Sequence, residues 1–147
     1  MRIVKICSDL VRRLNMTVRI NKIIKKADVK VFGEEYTLPV KYDVFVGEKL
    51  LDSQKDALER FLGKADSLLA DSDKIKSYIE RTKHVAVNDL TNKLEPTCIY
   101  VERNDKDRYT AVLLSPLDDN GKKTGESFAI EFKNEEFFRI GDRSIVV

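Results

Sequence analysis

ESFAIEFKNEEFFRIGDRSIVV, from Glu126 to Val147, is the stretch from which the fold is read. Phe128, Ile130 and Phe132 share one face of an extended chain, while Glu131 and Lys133 point the other way. That two-residue period belongs to a strand buried on one side. Asn134 and Glu135 can turn the chain, and Phe137, Phe138 and Ile140 begin a second apolar run. Gly141-Asp142 reads as a further turn, since glycine enters positive φ without a steric penalty. Ser144 to Val147 then reads as a short, β-branched final strand. The stretch is a piece of β meander and contains no catalytic constellation.

Working back towards the N-terminus, Thr97 to Glu102 reads as a strand, Asn104 to Asp107 as a turn and Arg108 to Leu114 as the hairpin partner. Val112, Leu113 and Leu114 in succession indicate a central strand covered on both faces. Pro116 ends it, and the Asn-Gly step at Asn120-Gly121 marks a polar loop from Asp118 to Gly125. Residues 17–46 carry the remaining strand patterns. Val18 and Ile20 alternate with charges, Val29 to Phe32 follow, and Gly33-Glu34 turns the chain. Tyr36, Leu38, Val40 and Tyr42 then share a face, with Lys41 and Asp43 opposite. Pro39 in that run points to an edge strand, because it has no N–H to give to a ladder.

Residues 52–82 are helical. Ser53 with Asp56 resembles a capping box, and Ala57, Leu58, Phe61 and Leu62 follow at helical spacing. Gly63 suits a C-cap or a break. Leu68, Leu69, Ile75, Tyr78 and Ile79 form a second stripe, with several Asp and Ser residues between the two as alternative N-caps. Residues 83–96 are weakly patterned, with a short turn of helix offered by Asp89 to Leu94. At the N-terminus, Ile3, Cys7, Leu10, Val11 and Leu14 form a helical stripe, and Met16 offers an alternative start. Two helices each apolar on one face need a sheet to bury against. The expected fold class is therefore α+β: a twisted, mostly antiparallel sheet with two helices packed on one face.

The chain has 147 residues, one domain's worth, a net charge of +2 and no Trp. Residues 1–30 hold nine basic and two acidic residues, a net of +7, which leaves −5 for the rest. Such a split hints at an interaction arm. Arg12, Arg13, Arg19, Lys22, Lys25 and Lys26 are the binding candidates, as phosphate neutralisers for a nucleic acid. The same residues could form a membrane-surface helix, but packing of the apolar residues under the basic side chains is the simpler reading, and no membrane partner is expected. Aliphatic rather than aromatic residues interleave them, so there is no stacking platform for single strands.

Other chemistry is thinly represented. Cys7 and Cys98 are far apart and lack a CxxC partner, so neither a disulfide framework nor a zinc site is expected. The lone His84 has no second ligand and no GxSxG elbow beside it. Gly33, Gly47, Gly63, Gly121, Gly125 and Gly141 stand singly, which builds no phosphate loop. Counting back from Gly121 puts Pro116 at the first calcium-ligand position, so the EF-hand frame fails. Carboxylates are plentiful, but no pair stands out. No cofactor, metal or enzymatic activity is expected. A membrane span would need a much longer apolar run, and no secretory leader is recognisable, so a cytoplasmic location is expected.

A set of positions resembles a known family. Ser53, Gln54, Ala57, Leu58, Phe61 and Leu62, a second helix ending at Tyr78, Pro96 to Val101, and Glu126, Ala129, Phe132, Asn134, Ile140-Gly141 and Ile145 together resemble an uncharacterised bacterial family of small α+β domains. Some relatives in it look like immunity proteins found beside polymorphic toxins. The resemblance covers about residues 28–147, and the basic first 28 residues lie outside it. This chain lacks the Trp often seen in the family and has Ser127 where the family tends to have Gly. The resemblance implies a non-enzymatic protein-binding domain that masks a protein partner. The acidic remainder favours a basic partner such as a nuclease toxin. Nucleic-acid binding through the basic segment is the alternative. Homodimer formation through an exposed edge such as Ser144 to Val147 is also open.

Overall fold

The computed structural model describes residues 19–70, 72–83, 94–118, 120–123 and 127–146. The residue 1–15 stripe, Arg12, Arg13, His84, Asp89 and the other positions between these ranges lie outside the described residues. The elements are β1 (Arg19–Val31), β2 (Glu34–Phe45), α1 (Asp52–Leu68), α2 (Ser72–Lys83), β3 (Leu94–Val101), β4 (Tyr109–Pro116), β5 (Phe128–Lys133) and β6 (Glu136–Asp142). A 3-10 turn, Arg143–Ile145, follows. All six strands form one sheet in chain order. Every neighbouring pair is antiparallel except β2 and β3, which run parallel over Val40–Tyr42 and Ile99–Val101. Parallel neighbours need a long crossover, and the two helices supply it. The fold is α+β, as the patterning indicated.

One face of the sheet carries the main core. Val29, Val31, Val40, Tyr42, Ile99, Val101, Val112, Leu114, Phe128, Ile130 and Phe132 pack there against Leu58, Phe61, Leu69, Ile75 and Ile79 of the helical crossover. Phe61 and Phe132 meet with ring centroids 5.3 Å apart. The two-residue hairpins Phe32-Gly33 and Asn134-Glu135 have positive φ at both positions. This is the turn form whose twist matches that of the flanking strands.

Several local expectations are corrected. Gly63 does not end a helix. It lies within α1, which runs unbroken to Leu68, because the apolar stripe continues through Ala65. Neither Ser53 nor Asp56 closes the expected capping box. Gln54 Oε1 accepts from the Leu51 N–H at 3.1 Å, while Ser53 Oγ donates to the Asn104 carbonyl at 3.3 Å. Pro39 does not mark an edge strand, since β2 lies between β1 and β3. It sits just before the pairing with β3 begins at Val40, so the strand tolerates its missing donor.

The chain end differs as well. Gly141-Asp142 continues β6 instead of turning, and Ser144 to Ile145 belong to the 3-10 turn. Asp142 causes the change: its side chain accepts from the Ser144 N–H at 2.9 Å and also from the Ser144 hydroxyl, an N-cap arrangement. These bonds hold the Asp142 carboxyl below its ordinary range. The described residues of the expected final strand, Ser144 to Val146, are not in strand.

Candidate functional site

Lys41, Asp43, Glu131 and Lys133 alternate with the apolar residues and belong to the sheet face opposite the helices. Much of that face is closed. Cys98, Tyr100, Ala111, Leu113 and Ala129 form a second, smaller cluster, and Ile145 and Val146 of the C-terminal turn pack on it. The turn fits because residue 141 is glycine: a Cβ there would lie 2.9 Å from Ile145 Cγ2. Cys98 is a free, buried thiol, and burial pushes its pKa up.

Polar side chains occupy the middle of this face. The strand register lines up Lys41, Tyr100, Ala111, Glu131 and Arg139 across five strands. Glu131 is only 1 % exposed and Asp43 5 %. Arg139 Nε donates to Glu131 Oε1 at 2.5 Å, and its Nη2 donates to the Ile145 carbonyl at 2.9 Å. Glu102 follows β3 directly, and its backbone N–H donates to the Tyr109 carbonyl at 3.1 Å. Its carboxyl faces that of Glu131 closely enough to feel its charge. Burial, the neighbouring Glu131 carboxyl and the Asp43 charge push the Glu102 pKa up to about 9, against the pull of Arg139. Glu102 Oε2 is buried without a partner among the described residues. Glu131 is closed off from solvent, so the pair offers no accessible acid and base to a substrate.

The end of the sheet at which β2 and β3 finish is different in character. Val46, 53 % exposed, and Phe138, 45 % exposed, are the exposed large apolar side chains of the described residues, and both lie at this end. Phe138 is the residue bulged out between the Glu131–Arg139 and Phe132–Phe137 pairs. A bulge re-aims a side chain, and here it leaves Phe138 in the open. Tyr109 meets it edge-on at 5.8 Å, while Lys133 and Arg139 lie 5.8 and 5.4 Å from its ring centre. Near Val46, Arg103 stacks 4.6 Å above Phe45 and bonds Glu48 at 2.8 Å. Arg108 grips Glu135 through two bonds of 2.9 and 3.0 Å, which raise the Arg108 pKa. The rim therefore carries aromatic and arginine side chains already fixed in place.

Of the basic candidates, Arg12 and Arg13 lie outside the described residues. Arg19 and Lys22 belong to β1, opposite Phe45 and Tyr42, while Lys25 and Lys26 are exposed near its middle. Residues 19–31 are strand, so they provide no membrane-surface helix. A groove of about 450 Å³ on the β1–β2 hairpin is lined by Asp28, Val29, Lys30, Glu35, Tyr36 and Thr37, and neither Lys25 nor Lys26 belongs to that lining. No cluster with metal-ligand character occurs among the described residues, and no helix among them is long and apolar enough to cross a membrane.

Sequence reasoning missed the Glu102–Glu131 pair and the Phe138 rim. The alternation around Glu131 reported the correct face but not what covers it. The run Val112 to Leu114 was the one available sign that this face is not wholly solvated. Comparison of the chain with protein-family models, with curated proteins and with solved structures finds no match.

Proposed function

We propose that this chain is a non-enzymatic protein-binding domain that docks a partner along the rim from Val46 to Phe138. The observation that carries the reading is the open Phe138, framed by Tyr109, Lys133 and Arg139 at a bulge. Aromatic and arginine side chains held in place in the free protein are the usual anchors of interfaces. β2 and β6 are four strand spacings apart, so the rim is about 19 Å wide, comparable to the width of an ordinary interface patch.

The partner is basic and the binding immunity-like, masking a toxin-like protein. Support for this comes from the resemblance and from charge: residues 31–147 carry a net −5. The rim's cations are engaged internally, with Arg103 on Glu48, Arg108 on Glu135, Arg139 on Glu131 and Lys133 3.9 Å from Asp107. The buried, unpaired Cys98 suits a reducing compartment, and we place the domain in the cytoplasm.

Capture from native lysate by immobilised wild-type protein and by Phe138→Asp tests the reading. A protein retained by wild type after nuclease treatment, released by salt and lost with the variant is expected. Equal retention by both proteins overturns the rim. Retention that disappears with nuclease treatment instead favours nucleic-acid binding by the basic segment around Lys25 and Lys26.

A further inference from the structure

We propose that Arg108 is a positioning residue for the rim: by gripping Glu135 it selects one of two registers of β6, and so decides that Phe138 and not Phe137 is exposed. The consequence for docking rests on the rim reading above, whereas the register does not. Phe138 is set out because β6 has one residue too many for its ladder with β5. Glu131 pairs with Arg139 and Phe132 with Phe137, which leaves Phe138 unpaired between them. An unbroken strand would alternate from Ile140 to Phe138. Phe138 would then lie opposite Phe132 on the core face, and Phe137 would point outwards.

A three-residue turn of Asn134, Glu135 and Glu136 gives that second register. It keeps the Glu131–Arg139 pair and every pair beyond it, and moves the extra residue from the strand into the turn. Two- and three-residue turns are both common in hairpins. The exchange changes little apolar burial, because one phenylalanine takes the place of another. At present Phe137 packs part-buried on the core, 6.5 Å from the Phe132 ring and with Lys74 4.3 Å from its own ring centre. The backbone favours the longer turn. The shorter one puts Asn134 at φ +49° and Glu135 at φ +60°, whereas a three-residue turn needs a single left-handed residue. Asparagine tolerates that region, and glutamate is strained in it.

The shorter turn is held by the segment that enters β4. The Asn134 N–H donates to the Arg108 carbonyl at 2.7 Å, and the Arg108 N–H donates to Asn134 Oδ1 at 2.9 Å. Asn134 Nδ2 donates to Asp107 Oδ1 at 3.1 Å. The Arg108 guanidinium then binds both oxygens of the nearly buried Glu135, at 2.9 and 3.0 Å. Such a fork is among the stronger hydrogen-bond arrangements and is exacting in geometry. It requires Glu135 as the second residue of a two-residue turn. The longer turn makes Glu135 the central loop residue and gives up the fork.

NMR of the free protein reads the register from the cross-strand backbone contacts of Phe132. Wild type is expected to show Phe132 opposite Phe137 alone. Arg108→Ala is expected to add a second set of signals with Phe132 opposite Phe138, and the Glu131–Arg139 contact should persist in both sets. Adding Glu135→Gly to Arg108→Ala removes the strain of the shorter turn and should restore the single Phe137 register. Loss of a merely structural contact would not be repaired in this way. Arg108→Lys keeps the charge but not the planar fork, and is judged by the same contacts if the alanine variant does not fold. A single set with Phe132 opposite Phe137 in the Arg108 variant overturns the selection, as does a double variant that keeps both sets. No partner is present in the measurement. The selection can therefore fail while Phe138 still proves to be the anchor, and the anchor can fail while the selection holds.

Discussion

Glu135 shows how one side chain keeps a position that its backbone disfavours. Its φ is +60°, in the left-handed region, where a side chain costs about 1 kcal/mol or more. Glycine is the usual occupant of such a turn. Glutamate is retained because Arg108 binds both of its oxygens while the carboxylate is nearly buried. Glu135→Ala and Glu135→Gly both remove that grip, but only alanine keeps the strain. Urea unfolding should place the alanine variant about 1 kcal/mol below the glycine variant, and equal stabilities would contradict the strain.

Glu102 sets a pH dependence of stability with a definite sign. Its folded pKa, about 9, exceeds the ordinary value of 4.5, so between these values the folded chain holds a proton that the unfolded chain has released. Stability therefore falls as pH rises through this window, by up to about 1.4 kcal/mol per unit. The Glu102 contribution changes no further below 4.5 or above about 9. Glu102→Gln removes that slope. Denaturant midpoints of the two proteins across the window check it, and parallel curves would rule it out.

At the scale of elements, the strand around Phe128 to Phe132 and the turn after it were legible because their causes are local. The alternation of Phe128, Ile130 and Phe132 and the positive-φ turn at Asn134-Glu135 lie within a few residues of one another. The stripe Ala57, Leu58 and Phe61 likewise buries as its spacing indicated. Gly63 misled because glycine's low helix propensity is a weak preference that tertiary packing overrides. It is exposed, and a Cβ there meets nothing within 4 Å. Gly63→Ala should therefore stabilise the protein by about 0.5–1 kcal/mol, read as a higher melting temperature. A lower one would mean that the helix bends or packs there in a way the open surroundings do not suggest.

For the whole molecule, the site was illegible because it is assembled by topology. Asp43, Glu102 and Glu131 are far apart in the chain and converge only because β2 and β3 lie side by side as parallel strands after a two-helix crossover. No periodicity encodes that register. The C-terminal turn that closes the face depends on Asp142 acting as a cap and on the space beside Gly141, each of which reads as an ordinary turn residue.

The sheet's outer strands are shaped by the same economy. β1 is bulged at Ile24 and carries exposed Lys25, Lys26 and Lys30, and β6 is bulged at Phe138. Bulges and lysines discourage edge-to-edge pairing between chains. On β6 the bulge also sets out the side chain on which the functional reading rests.

The most direct measurement is the dissociation constant of the captured partner for three proteins: wild type, Phe138→Ala at the rim, and Glu34→Ala beside the hairpin at the opposite end of the sheet. Truncating an aromatic anchor should weaken binding by about tenfold or more, with Glu34→Ala close to wild type. Equal affinities for wild type and Phe138→Ala, or a loss confined to Glu34→Ala, would contradict the account.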